Sequence, residues 1–419
     1  MISIKNKMKA AVLPLIAAGF LFTSCNKDVQ QFTDLPTPVY PSSANSIAKT
    51  IAATPTDSLY YRMIVRAGMV TTLSDSSRNY TMFITDNNGM KIFVNAASGG
   101  LVPLAAPDAV FSAFIANTLP VASAAGIVQY NTVAQKYLST DIPAAFPNTP
   151  LPSQIILDPT APFAHMQICP VKRTPYSYVN NIPFISFDEA ATNGVIHHVY
   201  TVVAPPSAVL KTMIAGESTL SYYRAAIARA DSGQTGLNRF DSLLNYGLTN
   251  MTVLAPNDAA FQTLIFNLVY SQTLAATGST AIALATANGA VAAGPAFLSS
   301  NFVTTALVRG IMAYHFLATN KGAGFQPNIR VFAEDIPAAT STPFFIQTLV
   351  NSSVATHPGI IAIATYTGPA VTNLKFVGLG PLLTSTTIPY SGTPATAVSL
   401  NKHAVNGVYH IINAVLLPQ

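Results

Sequence analysis

The segment NGVIHHVYTVVAPP at residues 193–206 returns as NGVYHIINAVLLPQ at residues 406–419, 213 positions later (406 − 193). Three further blocks recur in the same order ahead of it. YYRMIVRA (60–67) is followed by YYRAAIARA (222–230), TMFITDNNGMKIF (81–93) by TVLAPNDAAFQTL (252–264), and GIVQYNTVAQKYL (126–138) by GIMAYHFLATNKG (310–322). Four matches in register imply that one structural unit is written twice, which constrains the fold more than any single motif. A chain of 419 residues also exceeds what one compact core usually organises.

Each block suggests an element. In YYRAAIARA, Tyr222, Tyr223, Ile227 and Ala230 fall at helical spacings with Arg224 and Arg229 elsewhere on the wheel, an amphipathic helix. MTVLAP reads as a short apolar strand ended by Pro256, which has no N–H for a ladder. Asn257 and Asp258 suit a helix N-cap. ALVRGIMAYHFL reads as a mostly buried helix running out near Tyr314 and His315. Asn406-Gly407 is a hairpin signal, and the β-branched run behind it is a strand that Pro418 ends.

In order, TVLAPNDAAF, AYHFL and NGVYHIINAVLLP resemble the fasciclin I adhesion-domain family. The second copy carries Thr252, Ala255, Pro256, Asp258, Ala260, Phe261, Tyr314, His315, Asn406, Gly407, His410, Val415, Leu416 and Pro418, with Asn413 where the family usually has Asp. The first copy is degenerate. Thr85 replaces the proline, Asp86-Asn87-Asn88-Gly89 blurs the cap, and Asn131 stands where His is expected. Its closing block keeps Asn193, Gly194, His197 and Pro205. The resemblance implies an α+β fold of two tandem domains, 45–206 and 207–419, each a twisted β-sheet wedge packed with a short helical bundle. It also associates the Tyr314–His315 region with receptor adhesion. Extra length in LAATGSTAIALATANGAVAAGPAFLSS, in DIPAAFPNTPLPSQIILDPTAPF and around 335–400 is expected to form elaborated loops, where binding often resides.

The N-terminus carries a separate signal. Lys5, Lys7 and Lys9 precede an apolar run from Ala10 to Phe22, and the stretch closes on LFTSC. It resembles a bacterial lipoprotein leader, residues 1–25, with Cys25 lipidated. Residues 26–44 would then be a Pro-rich spacer, and NKDVQQ resembles the tag that sends some Gram-negative lipoproteins to the outer surface. Without the three leader lysines, 18 basic residues face 16 acidic ones, a net of +2 rather than +5. No basic cluster remains to neutralise phosphates, so nucleic acid is not an expected partner. Charged residues make up 9% of the chain, against roughly 25% in average domains. Beyond the leader, no apolar run approaches the ~18 residues of a membrane span.

Chemistry-bearing patterns are sparse. Cys169 has no second cysteine to pair with once Cys25 carries lipid, and it reads as a small buried hydrophobe. His197 and His198 are strand neighbours that point to opposite faces, so they do not share one metal. DNNG at 86–89 lacks the spaced ligands of a calcium loop and reads as a turn. His197, His315 and His410 read mainly as histidines that satisfy backbone groups. No catalytic residue, metal or cofactor is expected. The expected function is non-enzymatic binding of an extracellular protein or polysaccharide, with a lipid anchor in the outer membrane at the cell surface. The alternative is a glycan-binding accessory lipoprotein of an uptake system. Tyr176, Tyr178, Tyr366 and Tyr390 would then stack on sugars.

Overall fold

The computed structural model describes residues 44–300, 303–320, 324–379 and 394–418. The leader, Cys25, nearly all of the 26–44 spacer and Tyr390 lie outside the described residues. Pro41–Gln419 form one compact unit. The fold is α+β, with two separate sheets whose central strands are placed alike.

In the first half the central strand is β1 (Tyr80–Ile84). It pairs antiparallel with β2 (Thr132–Val133) and leads outward through β3 (Leu151–Ile156) to β4 (His165–Ile168). On its other side the sheet runs in reverse chain order through β5 (Pro170–Lys172), β6 (Ser177–Val179), β7 (Ile182–Ala191) and β8 (Gly194–Val199). There β8 lies parallel to β1, with Tyr80 opposite Gly194. Only Cys169 separates β4 from β5, yet these are the two edges of the sheet. The sheet therefore curls enough for a single residue to lead from one edge strand to the other, without pairing them.

Strand periodicity divides the apolar side chains between two cores. Tyr80, Met82 and Ile84 face the helices Ile47–Ala53, Ser58–Arg66, Asn87–Ala97 and Val121–Tyr130, whereas Phe83 packs with Val133, Ile168 and Val199 inside the curl.

The second half repeats this plan. Strand β9 (Met251–Pro256) pairs antiparallel with β10 (Phe316–Asn320) and parallel with β15 (Gly407–Ile412), with Met251 opposite Gly407. Met251, Val253 and Ala255 face helices, and Leu254 faces the sheet interior. Here β11 (Phe344–Thr348), β12 (Ile360–Thr367), β13 (Ala370–Gly378) and β14 (Ala395–Ala404) complete a closed barrel rather than a wedge. Strand β15 ends at Ile412, well before Pro418, where Asn413 turns back to exchange hydrogen bonds with Thr396. The repeated helices align one residue off the YYR match. Tyr60 and Tyr223 are the equivalent buried rings, because Asn87 caps at Leu59 as Asp258 caps at Tyr222.

The Ala-rich insertion is not a loop. Helix Asp258–Thr277 runs twenty residues, turns at Gly278 in the left-handed region, and returns as Thr280–Ala292 capped by Ser279. Alanine is the strongest helix former, and here that propensity prevails over the Gly and Ser that punctuate the segment. The Pro-rich stretch also has a structural place. Phe146 packs edge-on against Phe344, and Asn148 donates to Asp335 and to the Arg330 carbonyl, all in the other half. Among the described residues no single helix is long and apolar enough to cross a membrane.

The junction between the halves is built around buried polar groups. Arg330 is 1% exposed and donates to Asn250, Gln167 O and Val405 O, with His403 Nε2 at 2.9 Å. Asp335, equally buried, takes Arg173 at 3.3 Å. Cys169, Phe332 and Val408 form a small apolar cluster beside them. Burial pushes the Cys169 thiol up to about 12, leaving it an unreactive hydrophobe.

Asn193 and Asn406 occupy the hairpin turns ahead of the closing strands. Asn406 accepts from Leu210 N at 2.8 Å and donates to Leu244 O and Tyr246 O at 3.0 Å. Asn193 makes the same set with Ile47 N, Leu73 O and Asp75 O. Asn406→Ala leaves three backbone groups without these partners and should cost about 3 kcal/mol or more of unfolding free energy in urea. Asn193→Ala should cost a similar amount. Asn267→Ala, at an exposed helix position, should stay within about 0.5 kcal/mol of wild type.

Candidate functional site

The motif residues fall into a hydrogen-bond frame that both halves build identically. Thr252 Oγ1 donates to Ile329 O and accepts from Val331 N. Thr81 does the same with Gln135 O and Tyr137 N. His410 places Nε2 against Val331 O and accepts at Nδ1 from Asn401 N. His197 repeats this with Tyr137 O and Asp188 N. Asn401 and Asp188 both sit at positive φ where their strands bulge. Gly194 and Gly407 also have positive φ, and a Cβ on either would lie 1.9 Å from the carbonyl of Tyr80 or Met251. Ala255 is fully buried on the helix side, Pro256 ends β9, and Phe261 stacks on Tyr222 in the core.

The first-copy cap is intact rather than blurred. Asp86 is the N-cap and accepts from Gly89 N at 2.9 Å, as Asn257 does from Ala260 N. Asn87 then accepts from Leu59 N on the neighbouring helix, the task that Asp258 performs for Tyr222 N. The Asn-Asp pair is simply written in the opposite order. DNNG therefore opens a helix, where a free turn was expected.

Tyr314 and His315 do not form a contact surface. Both are 0% exposed. The Tyr314 hydroxyl donates to Gly359 O and accepts from Leu379 N. His315 holds Ile311 O with Nδ1–H and accepts from Leu416 N at Nε2, so it is the neutral Nδ1–H tautomer, with its pKa held down to about 4 by burial. Asn131 replaces it without loss of the join, donating to both Ile127 O and Val203 O. These residues close the structure and would have to be unpacked to meet a partner.

Other expected contacts are also internal. Tyr222 and Tyr223 fill the core, as the helical spacing of their block suggests. Tyr178 is 1% exposed and donates to Pro369 O, and Tyr366 donates to Ile336 O. Tyr176 alone of the described three stands exposed, so they form no stacking platform.

Two adjoining depressions among the described residues meet at His165. One, of about 780 Å³, is lined by Thr71, Thr72, Ser74, Arg78 and Gln154. The other, of about 280 Å³, lies at the junction between Leu157, Gln167, Leu248 and Asn250. Hydroxyl, amide and guanidinium groups and the Asp75 carboxylate line the larger one beside exposed apolar surface. This lining suits a hydroxylated or peptidic chain laid across the surface.

A second constellation was not legible in the sequence. Asp57, Glu189 and His198 bring one ligand atom each within 4.8 Å of one another. His198 Nε2 lies 2.8 Å from Glu189 Oε2 and 4.0 Å from Asp57 Oδ2. Burial pushes the Asp57 carboxyl up despite nearby His198. For His198, burial lowers the pKa, but the Glu189 hydrogen bond and the charges of Asp57, Glu189 and Asp86 outweigh it and raise the imidazole. No spacing rule joins 57, 189 and 198, because the antiparallel β7–β8 pairing sets Glu189 near His198 and the turn ahead of helix Ser58–Arg66 brings in Asp57. His197 points to the opposite face, as its strand position requires.

No family model matches the sequence, and no curated protein matches it. Among solved structures it resembles a FAS1 domain pair from the insect cell adhesion molecule fasciclin I. That match spans 86% of this chain and 96% of the other at 11% identity, a loose superposition with a TM-score of 0.28.

The histidine frame has a pH signature. Unfolded His315 titrates near 6.5 and folded His315 near 4, so the unfolded state takes up the proton first. Stability from this group is complete above about pH 6.5, falls as pH drops towards 4, and is flat below. The full span corresponds to about 3 kcal/mol. His315→Asn, the residue the first half uses at this place, should remove that much of the acid-side loss when urea unfolding is compared at pH 7 and pH 4. An unchanged difference would show that His315 is already charged in the folded state.

Proposed function

We propose that the chain is a non-enzymatic cell-surface lipoprotein. Its two halves are fasciclin-like domains, 45–206 and 207–419, that bind an extracellular protein or polysaccharide. One observation carries the reading. The histidine, threonine and asparagine side chains of the repeated motif are bonded to backbone in the same way in both halves. They supply rigidity and leave no reactive group waiting for a substrate. The junction then fixes two such units side by side, with the His165 depressions as an open contact surface. The order of the sequence blocks supports the fasciclin-like assignment, and LFTSC supports lipidation at Cys25. One lipid chain anchors only marginally, so firm attachment needs several on that cysteine. The Pro-rich spacer would lift the body from the outer membrane. The hydroxyl and amide lining of the larger depression favours, as a second reading, a glycan-capturing accessory of a polysaccharide-uptake system.

Intact cells treated with external protease test the location. The wild-type chain should be digested, and Cys25→Ala should leave the membrane fraction. A wild-type chain that resists protease on intact cells would place it on the inner side. For the contact surface, residues 45–419 applied to glycan and matrix-protein arrays should bind a ligand. Arg78→Ala with Gln154→Ala should weaken that binding about tenfold, the loss of roughly 1.4 kcal/mol. Equal binding by the double variant would move the contact elsewhere.

A further inference from the structure

We propose that Asp57, Glu189 and His198 form a binding site for a divalent transition cation of the zinc type, built into the first half alone. Two ordinary explanations for a buried aspartate at this position fail. Asp57 is the residue before helix Ser58–Arg66, where a carboxylate usually caps the first turn. Its side chain makes no capping hydrogen bond, because Asn87 accepts from Leu59 N at 3.0 Å in its place. A simple ion pair with His198 is also incomplete. The imidazole Nε2 can give its single proton to one acceptor, and Glu189 holds it at 2.8 Å. Asp57 Oδ2 is buried, has no hydrogen-bond partner, and lies 4.0 Å from that same nitrogen. The Asp57 side chain is 1% exposed. An orphaned carboxylate oxygen at this depth is costly unless something cationic meets it.

A cation between the three groups satisfies all of them at once. Zinc bonds His nitrogen and carboxylate oxygen at about 2.0–2.2 Å, which puts tetrahedral donors about 3.3 Å apart. The two distances from His198 bracket that value, so movements of the order of 1 Å close the site. One imidazole and two carboxylates, without thiolate, suit zinc and its first-row neighbours. Calcium takes six to eight oxygens. Three protein donors leave one tetrahedral position for water or a donor group from a partner. The opening is real, since Glu189 and His198 remain 35% and 16% exposed while Asp57 closes the floor.

The second half serves as an internal control. The frame places Leu220, Lys402 and Ile411 where the first half has Asp57, Glu189 and His198. Leu220 and Ile411 are buried apolar residues, and Lys402 pairs with Glu217 at 3.1 Å. The fold therefore stands without the trio, whereas the other polar contacts described for the repeat occur in both copies.

The test uses the full chain, stripped with a chelator and titrated with zinc chloride by calorimetry. One zinc per chain should bind at micromolar or lower concentration and raise the melting temperature. Asp57→Leu and His198→Ile install the residues that the other half tolerates, and Glu189→Gln keeps shape without charge. Each should weaken zinc at least tenfold and abolish the zinc-dependent rise in melting temperature while the metal-free chain stays folded. Equal affinity in wild type and variants, no uptake at millimolar zinc, or tighter binding of calcium than zinc would each overturn the assignment. Cobalt(II) gives an independent readout. Its visible bands should lack thiolate charge transfer and vanish in His198→Ile, and bands that persist there would count against the site.

Discussion

The parallel pairing of β1 with β8, and of β9 with β15, is the contact on which the remaining architecture depends. Parallel neighbours cannot be joined by a tight turn, so everything between them must form a crossover. In this chain the crossovers run from Ile84 to Gly194 and from Pro256 to Gly407. They contain most of each half. The pairing is held at its entry by one asparagine that ties the turn to two helical segments, and by one glycine whose missing Cβ lets the strands approach. Thr81 or Thr252 and His197 or His410 then fasten the returning chain across the same pair. The residues that looked most like a functional motif are the fasteners of this closure, and that is why they are buried.

The junction imposes a second constraint. Burying Arg330 and Asp335 carries a desolvation cost that only dense hydrogen bonding offsets. Arg330 meets it with Asn250, Gln167 and Val405, drawn from both halves. Burial raises Asp335 to about 6 even with Arg173 beside it, so the carboxylate is held at some expense. A greasy interface of the same size would tolerate sliding. This one specifies a single register, because any displacement strands a guanidinium or a carboxylate. The two depressions that meet at His165 consequently keep a fixed relation, which a surface for an extended ligand requires.

Much of this was legible before any coordinates. The four repeated blocks located β1, β2 and β8 in one half and β9, β10 and β15 in the other, because hydrophobic period and capping chemistry are local. Asn257 and Asn406 were recognisable for the same reason, whereas Thr252 and His410 stood out only through the family resemblance. The stretch around 335–400 and the Pro-rich stretch, expected to be loops, instead supply β11–β14 and β3, whose pairing partners are distant. The failures share one cause, that their outcome depends on distant partners. Asp86-Asn87 looked degenerate beside Asn257-Asp258, since a cap motif read one residue at a time hides that two helices share it. The Ala-rich insertion is expected to be a loop because of its size within a compact unit, yet Gly278 and Ser279 serve as the C-cap and N-cap of a helical hairpin. The resemblance associates Tyr314 and His315 with adhesion, but both side chains are engaged internally with Leu379 N and Leu416 N. Asp57, Glu189 and His198 have no sequence signature at all.

A duplicated chain offers a way to separate fold from function that a single domain does not. Contacts present in both copies are those the architecture demands, whatever either copy does. On that criterion the histidine, threonine and asparagine frame belongs to the architecture, as does the paired capping of Asp86-Asn87 and Asn257-Asp258. What differs between the copies is free of that demand. The second half adds the hairpin over residues 258–292 and closes its sheet, while the first keeps an open curl and gathers two acids and a histidine. A buried aspartate is a poorer core residue than the leucine that stands in its place in the other half, so packing alone gives no reason to retain it. Its unpartnered oxygen is the feature that a bound cation would satisfy.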